Sequence, residues 1–542
     1  MNNKKENGAY YTPEYLAEYI VNEILTAYTF KNDRVTILEP SAGDGVFIKT
    51  LLNSELLQKK SQLHIDVVEK NKAEIEKVKF HELNKRTVVN INYHNMDFLD
   101  YQPNENAYDL IIGNPPYINK KMLTEQQRLK SKSIFSELDL DPGNFKNIWM
   151  SFILKSIRML SDNGTLCFVL PFELLQVNYS RELRIYLLDR FEDIKIFLFN
   201  QLVFENIEQD VIVLVASKKG KAESVDYFQI NNLDDLRNKV KILPHSTVVH
   251  KNDDKWSNYL ISNSALDLIN NINKRFKKIS DYCTATAGIV TAANDYFIVE
   301  KATLKKFGMS DVSFPIVSKS SYITRGINFT PEQFNILEQR GLPLYLLLFN
   351  KNNIDDYDSD VRSYLEKGLK KEIHQRFKTK KRTHWYKVPY LEASQGIFFK
   401  RSHLFPKIVV NSAKVLNTDS GYRVFMKNGY NINSLVFSFY NSLTLLMSEL
   451  NGRYYGGGVL ELTPNEFKNL PLPYCEITEE KFNYLDNMFR ENRSIEEILD
   501  YTDGIILKGC YKIPNDEIGH LKILRNKLVQ RRLKKINPVS GN

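Results

Sequence analysis

The sequence predicts an α/β protein in which a doubly wound sheet domain is followed by an irregular mixed α/β domain and a helical C-terminal segment. Three observations predict this order. Short apolar runs alternate with helical patterns through the first ~220 residues, as parallel strands joined by crossover helices require. After about Lys221 the alternation ends, and the chain becomes irregular and rich in Asn, Lys and Tyr. The end of the chain has a helical pattern that closes with the amphipathic stretch His520–Ile536.

The strands predicted for the first domain are six short apolar runs. They are Val35–Leu38, Ile65–Glu69, Leu110–Ile112, Thr165–Leu170, Ile194–Leu198 and Val211–Ala216. Helical patterns fill the gaps, among them Pro13–Thr26, Val46–Leu52 and Ile148–Leu160. We place the domains at 1–235, 236–475 and 476–542. Because ligands of a doubly wound sheet bind beyond the carboxyl ends of its strands, the residues that follow each strand are the candidates for a site.

The net charge of +9 is concentrated in the second half of the chain. Residues 1–250 carry 31 Lys and Arg against 34 Asp and Glu, whereas residues 251–542 carry 43 against 31. This asymmetry indicates that the second half holds a polyanion. Neither a secretory signal nor an apolar run long enough to cross a bilayer is present, so we expect a soluble cytoplasmic protein.

Cysteine usage indicates a reducing environment. The four cysteines lie far apart in the chain, at Cys167, Cys283, Cys475 and Cys510. No pair has CxxC spacing, so we expect neither a cysteine-based zinc site nor a disulfide framework, and no metal.

The strongest chemical signal is the motif Asn-Pro-Pro-Tyr at Asn114–Tyr117, directly after a predicted strand. The amine of an adenine base is a poor nucleophile, because its lone pair is conjugated into the ring. Hydrogen bonds from its two N–H groups to the Asn114 side-chain oxygen and the Pro115 carbonyl would favour a tetrahedral, nucleophilic nitrogen. Pro116 helps to stiffen the loop, and Tyr117 offers a flat face to an extruded base.

A second signal is the turn Glu39–Gly45, with the sequence Glu-Pro-Ser-Ala-Gly-Asp-Gly, which joins a strand to a helix. Gly43 and Gly45 let the backbone approach a ligand closely. The turn is not a GxGxxG fingerprint, and S-adenosylmethionine has no phosphate to bind; Glu39 instead suits the ammonium group of that cofactor. The next predicted strand ends at Glu69, where a ribose diol needs a bidentate acceptor.

Two shorter motifs stand in register with these signals. Asp97–Phe98 lies between Glu69 and the Asn-Pro-Pro-Tyr loop. Asp97 fits an acceptor for the adenine amine of the cofactor, and Phe98 fits an apolar cover for the adenine ring. Tyr11–Pro13 precedes the first predicted helix, where Thr12 is a candidate N-cap. Each motif alone is more often structural than functional, but their order along the chain points to one cofactor site.

Taken in this order, the motifs resemble those of the gamma-class DNA amino-methyltransferases of restriction–modification systems. That family has a Rossmann-like catalytic domain followed by a target-recognition domain. The resemblance implies S-adenosylmethionine as cofactor and a flipped base as substrate, and the Asn that opens the motif suggests adenine. The implied cofactor residues are Tyr11, Thr12, Glu39, Pro40, Ser41, Ala42, Gly43, Gly45, Glu69, Asp97, Phe98 and Asn114.

The resemblance also implies a second aromatic side chain on the other side of the flipped base, just before a late strand. Phe204 has that position, and packing in the core is its alternative role. The predicted catalytic residues are therefore Asn114, Pro115, Pro116, Tyr117 and Phe204.

The basic, aromatic stretch 367–390 is the candidate for binding the DNA duplex. Residues 367–387 contain nine Lys and Arg and one acid. Basic side chains that can bind phosphates therefore alternate with aromatic side chains that can stack on bases. The predicted DNA contacts are Lys378, Lys380, Lys381, Arg382, His384, Trp385 and Tyr386. We expect the lysines to hold the backbone and the residues from Arg382 onward to lie near the bases. We interpret the basic stretch Lys522–Lys535 as a solvated helix face.

The partners expected from this assignment are double-stranded DNA and a separate cognate restriction endonuclease, with no membrane and a monomeric protein. Three alternatives stay open from the sequence. The first is an RNA or protein methylase that uses the same loop. The second is a fused restriction–modification enzyme, and the third is a methylase-like protein that binds DNA without catalysis.

Overall fold

The computed structural model describes residues 11–27, 34–55, 62–80, 89–103, 107–200, 203–204, 210–218, 220–222, 224–238, 245–248, 255–257, 261–323 and 325–534. The chain divides into two compact units. The first consists of Met1–Asn263 with the short segments Tyr455–Gly458 and Leu533–Asn542. The second consists of Ser264–Tyr454 and Val459–Arg532.

Within the described residues, the first unit is built on a mixed sheet of nine strands. In chain order these are β1 (Arg34–Glu39), β2 (Gln62–Val68), β3 (Val89–His94), β4 (Tyr108–Gly113), β5 (Leu160–Pro171), β6 (Asp193–Phe199), β7 (Val211–Ser217), β8 (Ser224–Ile230) and β9 (His245–Val248). Their order across the sheet is β3-β2-β1-β4-β5-β7-β6-β8-β9. The first five strands of that order run parallel, and β7 is antiparallel to both of its neighbours. The six predicted strands and the predicted fold class are confirmed.

Three strands of this sheet, β3, β8 and β9, are not among the predicted ones. β3 lies at an edge and is only partly buried, so its sequence, Val-Asn-Ile-Asn-Tyr-His, lacks the apolar run of an inner strand. β8 is parallel to β6, and β9 pairs with β8 in antiparallel fashion. The first sheet therefore continues beyond Lys221 and beyond residue 235, although the regular alternation of strand and helix has ended.

The helices of the first unit include the three that the sequence predicts. They are α1 (Glu14–Tyr19), α2 (Val46–Asn53), α3 (Lys72–Phe80), α4 (Glu125–Glu137), α5 (Ile148–Met159), α6 (Glu173–Gln176), α7 (Arg181–Arg190) and α8 (Leu233–Arg237). Helix α1 continues as a π-helical turn over Ile20–Ile24 and a 3-10 turn over Leu25–Ala27. The amphipathic pattern of the first predicted helix is thus spread over three helical types.

The core of the first unit fixes the ends of the strands that carry the site. Apolar side chains of the inner strands, such as Ile37, Val67 and Ile112, are buried in one cluster. Because β2, β1 and β4 are parallel neighbours, their carboxyl ends lie side by side. Two of these strands end at Glu39 and Gly113, so the turn after β1 and the Asn-Pro-Pro-Tyr loop begin at the same edge of the sheet.

The described residues after Ser264 form two four-stranded sheets and a three-stranded sheet, and all of their strands except the last residue of β19 belong to the second unit. These strands are β10 (Cys283–Ala287), β11 (Ile298–Val299), β12 (Ser313–Val317), β13 (Tyr345–Leu347), β14 (Gly396–Phe399), β15 (Arg401–Ser402), β16 (Lys407–Val410), β17 (Leu416–Asn417), β18 (Gly421–Met426), β19 (Arg453–Tyr455) and β20 (Val459–Glu461). The strand orders are β10-β18-β14-β16, β11-β13-β12-β17 and β15-β20-β19. Short strands in several sheets agree with the irregular mixed α/β fold predicted here.

The helices of this part of the chain are short in its middle and longer towards its end. They are α9 (Asn263–Asn273), α10 (Ile279–Tyr282), α11 (Asn294–Phe297), α12 (Lys301–Lys306), α13 (Pro331–Gln339), α14 (Ser359–Lys370), α15 (Ile432–Phe439), α16 (Ser442–Asn451), α17 (Pro464–Lys468), α18 (Glu479–Arg490), α19 (Ile495–Asp503) and α20 (Asn515–Lys534). The helical C-terminal segment is therefore present as predicted.

Buried polar contacts tie these last helices to helix α16. The Arg532 guanidinium on α20 meets the Glu449 carboxylate at 3.0 and 2.7 Å, and neither side chain is more than 2% exposed. The Asp503 carboxylate at the end of α19 accepts hydrogen bonds from the Ser442 backbone and hydroxyl. The helical segment is thus part of the second unit.

The expectation that all four cysteines stay apart is wrong for one pair. Cys475 and Cys510 form a disulfide across a sequence separation of 35 residues. The fold returns the chain to the same place after helices α18 and α19, which spacing alone does not reveal. Cys167 and Cys283 are buried free thiols. Across the described residues, no helix combines the length and the apolar character that a membrane span needs.

Candidate active site

A cavity of about 560 Å³ opens at the carboxyl ends of the inner strands of the first unit. Its wall contains ten of the residues predicted for the site: Tyr11, Pro40, Ser41, Gly43, Glu69, Asp97, Phe98, Asn114, Pro115 and Pro116. Segments that are separated by more than a hundred residues of sequence therefore meet at one place. Thr12, Glu39, Ala42 and Gly45 are not among the residues that line the cavity.

The turn after β1 is shaped by its glycines and by Glu69. Gly43 and Gly45 have positive φ values of 53° and 81°, which side chains disfavour. A Cβ atom on Gly45 would lie 2.8 Å from the Val78 side chain. The Glu69 carboxylate accepts hydrogen bonds from the Gly43 N–H at 3.0 Å and from the Asn71 N–H at 2.7 Å. Glu69 thus fixes the turn as well as facing the cavity.

Glu39 is the most unusual carboxylate of the site. Its side chain is 1% exposed, and its Oε2 atom has no hydrogen-bond partner among the described residues. Burial raises the pKa of Glu39 well above its usual range, and the nearby negative charges of Asp44 and Glu69 raise it further. A positively charged ligand near this carboxylate would offset both effects.

Asp97 and Phe98 form another part of the wall. The Asp97 carboxylate accepts hydrogen bonds from the Leu99 N–H at 3.0 Å and from the Gln127 side-chain amide at 2.8 Å. Phe98 is buried, and its ring centroid lies 4.8 Å from that of Phe152. Asp97 is therefore held in place by this chain's own donors, one of which the sequence analysis did not identify.

The Asn-Pro-Pro-Tyr loop is anchored from three sides. The Asn114 side-chain amide donates to the Thr12 hydroxyl at 3.2 Å, and the Ser41 hydroxyl donates to the Asn114 carbonyl at 3.2 Å. The Tyr117 hydroxyl donates to the Val169 carbonyl at 3.1 Å. Tyr117 is half-buried against the core and does not line the cavity. Thr12 does not cap helix α1, whose N-cap is Pro13, and its hydroxyl orients the amide of Asn114.

The cavity wall also contains residues that no sequence motif predicts. They are Lys70, Asn71, Glu74, Met96, Ile118, Met122, Leu123, Thr124, Gln127, Ile148 and Phe152. One local signal was available: Thr124 and Gln127 form a capping box at the start of α4, a pattern that a sequence shows directly. Among the described residues, no group of three or more His, Cys, Asp or Glu side chains is arranged to hold a metal ion.

Phe204 does not join the site. Its side chain is 4% exposed and belongs to the hydrophobic core of the first unit, together with the neighbouring Val203. This burial agrees with core packing, the alternative role, while the stacking role stays a prediction.

The predicted DNA contacts separate into an exposed group and a buried group. Lys378, Lys380 and Lys381 are exposed. Tyr386 is 3% exposed and donates to the Asn352 carbonyl at 2.6 Å, so it has no surface to offer a base.

Three predicted DNA contacts lie between these groups in the sequence, namely Arg382, His384 and Trp385. Arg382 donates to the carbonyls of Val290 and Thr291 at 2.9 Å. The Trp385 ring packs against Tyr296 at 5.7 Å, and His384 is half-buried. Arg382 and Trp385 thus make contacts within the protein, and Tyr386 is buried; contacts with DNA bases at these positions stay a prediction.

Comparison with known proteins finds two family models in succession along the chain. Residues 30–204 match the Eco57I restriction-modification methylase, and residues 253–507 match the C-terminal domain of the type II methyltransferase M.Eco57I. The chain is 25% identical to the type II methyltransferase M.AccI of Acinetobacter calcoaceticus over 534 residues, which cover 93% of this chain and 94% of that protein. It is 29% identical to M.HincII of Haemophilus influenzae over 231 residues, 42% of this chain and 40% of that protein.

Solved structures share the fold. The type IIL restriction-modification enzyme MmeI in complex with DNA has a TM-score of 0.52 at 15% identity, covering 97% of this chain and 74% of that one. The type ISP enzyme LlaGI has a TM-score of 0.52 at 13% identity, covering 89% and 55%. With the family models on both units and M.AccI over nearly the full length, the chain belongs to the Eco57I-type DNA methyltransferases of type II restriction–modification systems.

Proposed function

We propose that the chain transfers a methyl group from S-adenosylmethionine to the N6 amine of an adenine that is flipped out of duplex DNA. The observation that carries this proposal is that the turn after β1 and the Asn-Pro-Pro-Tyr loop line the same cavity. A methyl donor and an acceptor amine must meet within one enclosure for direct transfer. The family supports methylation of DNA, and the loop chemistry supports adenine as its base.

The residues present fit the cofactor. S-adenosylmethionine, when bound, supplies a methyl group on a positively charged sulfur. The buried Glu39 carboxylate lacks a hydrogen-bond partner among the described residues and is repelled by neighbouring acids, which suits the ammonium group of that cofactor. We propose that Glu69 binds the ribose, that Asp97 and Phe98 hold the adenine ring, and that the backbone near Gly43 lines the methionine portion.

Asn114 and Pro115 act on the acceptor amine in this proposal. The Asn114 amide nitrogen donates to Thr12, which turns the amide oxygen into the acceptor for one N–H of the amine. The Pro115 carbonyl accepts the other N–H, and the hydrogen bond from Ser41 holds the preceding carbonyl in place. Both acceptors are preorganised before the base arrives, so the lone pair of the amine is directed at the methyl group. Tyr117, fixed through its hydroxyl, stacks on the base.

The second unit binds the duplex in this proposal, and its exposed lysines near residue 380 neutralise phosphates. We propose that the first unit is catalytic and the second recognises the DNA sequence. We also propose that the enzyme is a monomer and that a separate cognate restriction endonuclease acts with it. Two relatives illustrate the possibilities: M.AccI is named as a methyltransferase, and RM.Eco57I as a restriction enzyme and methyltransferase.

The test is nucleoside analysis after incubating the protein with S-adenosylmethionine and duplex DNA. We expect N6-methyladenine at one sequence motif, identified by single-molecule sequencing, and none with the variant Asn114→Ala. N4-methylcytosine would overturn the adenine assignment. Methyl groups in RNA or protein but none in DNA would overturn the substrate class.

A further inference from the structure

An exposed phenylalanine stands among the lysines of the second unit. The Phe377 side chain is 68% exposed, which makes it one of the most exposed large apolar side chains among the described residues. The Lys381 ammonium lies 4.1 Å from the centroid of its ring, and Lys378 and Lys380 are exposed beside it. A flat apolar group and several cations are thus presented together.

The short segment that carries Phe377 is braced on both sides. The Arg376 guanidinium forms two hydrogen bonds with the Asp295 carboxylate, at 2.7 and 2.8 Å. Thr379 is fully buried, and its hydroxyl donates to the carbonyls of Ile373 and Arg376. The ring therefore projects from a backbone that is fixed immediately before it and two residues after it.

A further brace comes from Arg382, which closes the segment by donating to the carbonyls of Val290 and Thr291 at 2.9 Å. Burial lowers the pKa of the Arg382 guanidinium, in keeping with its place beneath the surface of the segment. Arg376 and Arg382 are consequently positioning residues, and the lysines with Phe377 form the outward surface between them.

We propose that Phe377 inserts against the bases of bound duplex DNA while the flanking lysines hold its phosphates, an inference that rests on the proposed function. A partner that combines dense negative charge with stacked flat rings matches this surface, because both kinds of side chain then find a partner. An apolar wedge between base steps unstacks them in part, and every base has a face for it. Phe377 thus adds affinity on target and non-target DNA alike.

The test compares Phe377→Ala with the full-length wild-type protein on matched target and scrambled duplexes across a salt series. Loss of one stacking contact should weaken both complexes by roughly tenfold or more. The slope of log affinity against log salt should stay unchanged, because no charge is removed. The control is Tyr484→Ala, which removes an aromatic side chain 51% exposed on α18, four residues after the acidic Glu480, and should leave affinity unchanged.

A second variant reports the contact directly. Phe377→Trp should keep affinity within about threefold of wild type, since indole stacks at least as well as phenyl. Duplex DNA should quench the fluorescence of the added tryptophan. The wild-type protein and the variant share Trp149, Trp256 and Trp385, so the signal of these three is removed by subtraction.

The inference is overturned if Phe377→Ala binds like wild type and Tyr484→Ala, or if Phe377→Trp shows no quenching at saturating DNA. It is also overturned if the alanine variant flattens the salt slope, because the braced segment would then have moved its lysines. A wild-type protein that neither binds nor methylates DNA would instead overturn the proposed function, and so the two failures are distinguishable.

Discussion

Replacing Glu39 by glutamine should raise the stability of the ligand-free protein against unfolding and weaken its binding of S-adenosylmethionine. The Glu39 carboxylate is buried, and one of its oxygens has no hydrogen-bond partner within the part of the chain that is described. Its pKa is raised by burial and by the charges of Asp44 and Glu69. Its contribution to stability is therefore fully present below the ordinary carboxyl pKa and is lost as the pH rises through the raised pKa. The stabilisation by Glu39→Gln should accordingly grow with pH.

The size of both effects follows from this environment. A buried polar group without a partner costs about 1–3 kcal/mol, and more when it is charged. In a unit of this length each kcal/mol moves the melting temperature by about 2–4 °C, so the free variant should melt several degrees higher at pH 8. A hydrogen bond to a charged group contributes about 1.5–3 kcal/mol, which corresponds to a loss of about 10- to 150-fold in cofactor affinity.

Differential scanning calorimetry at pH 5 and pH 8, with isothermal titration of the cofactor, measures the two effects. The matched control is Glu74→Gln, because Glu74 is 8% exposed and lines the same cavity but accepts from Lys77 at 2.8 Å and from Tyr11 at 3.0 Å. Its loss should destabilise the free protein. The reasoning about Glu39 fails if Glu39→Gln melts no higher than wild type at pH 8 and binds the cofactor equally well.

Three further outcomes are expected. Asn114→Ala should slow methyl transfer by about 100- to 1,000-fold while leaving DNA affinity within a few fold, measured by labelled-methyl turnover and by titration; near-normal turnover would rule out Asn114 as the amine acceptor. Replacing Lys378, Lys380 and Lys381 by glutamine should reduce the salt slope by about 0.9 per lost contact without changing the methylated motif; an unchanged slope would place the phosphate contacts elsewhere. Phe204→Ala should cost about 3–5 kcal/mol in denaturant unfolding, as a core residue does; unchanged stability with impaired base flipping would restore its stacking role.

The parts of the molecule that the sequence predicts well are those in which local pattern and position coincide. Inner strands are continuous apolar runs, and a loop that follows such a strand must lie at its carboxyl end. The sequence alone therefore places the turn at Gly43 and the loop at Asn114 together. The adjacency of β1 and β4 in the sheet makes this explicit.

Other features depend on tertiary contacts that no local pattern encodes. Whether an aromatic residue such as Phe204 or Tyr386 is buried depends on what packs over it. The charged residues beside it in the sequence do not predict this burial. Gln127 reaches Asp97 only because α4 returns across the site. Cys475 and Cys510 meet only because two helices fold back between them.

The buried ion pair between Arg532 and Glu449 has a consequence for engineering new specificities. If the second unit is exchanged between relatives as the proposed recognition unit, a cut near residue 475 would leave the Glu449 carboxylate without its guanidinium, a loss that typically costs about 3–5 kcal/mol. Asp503 and Ser442 would be separated by the same cut. A segment exchanged between relatives should therefore extend through α20, so that a chimera takes helices α16 and α20 from the same parent.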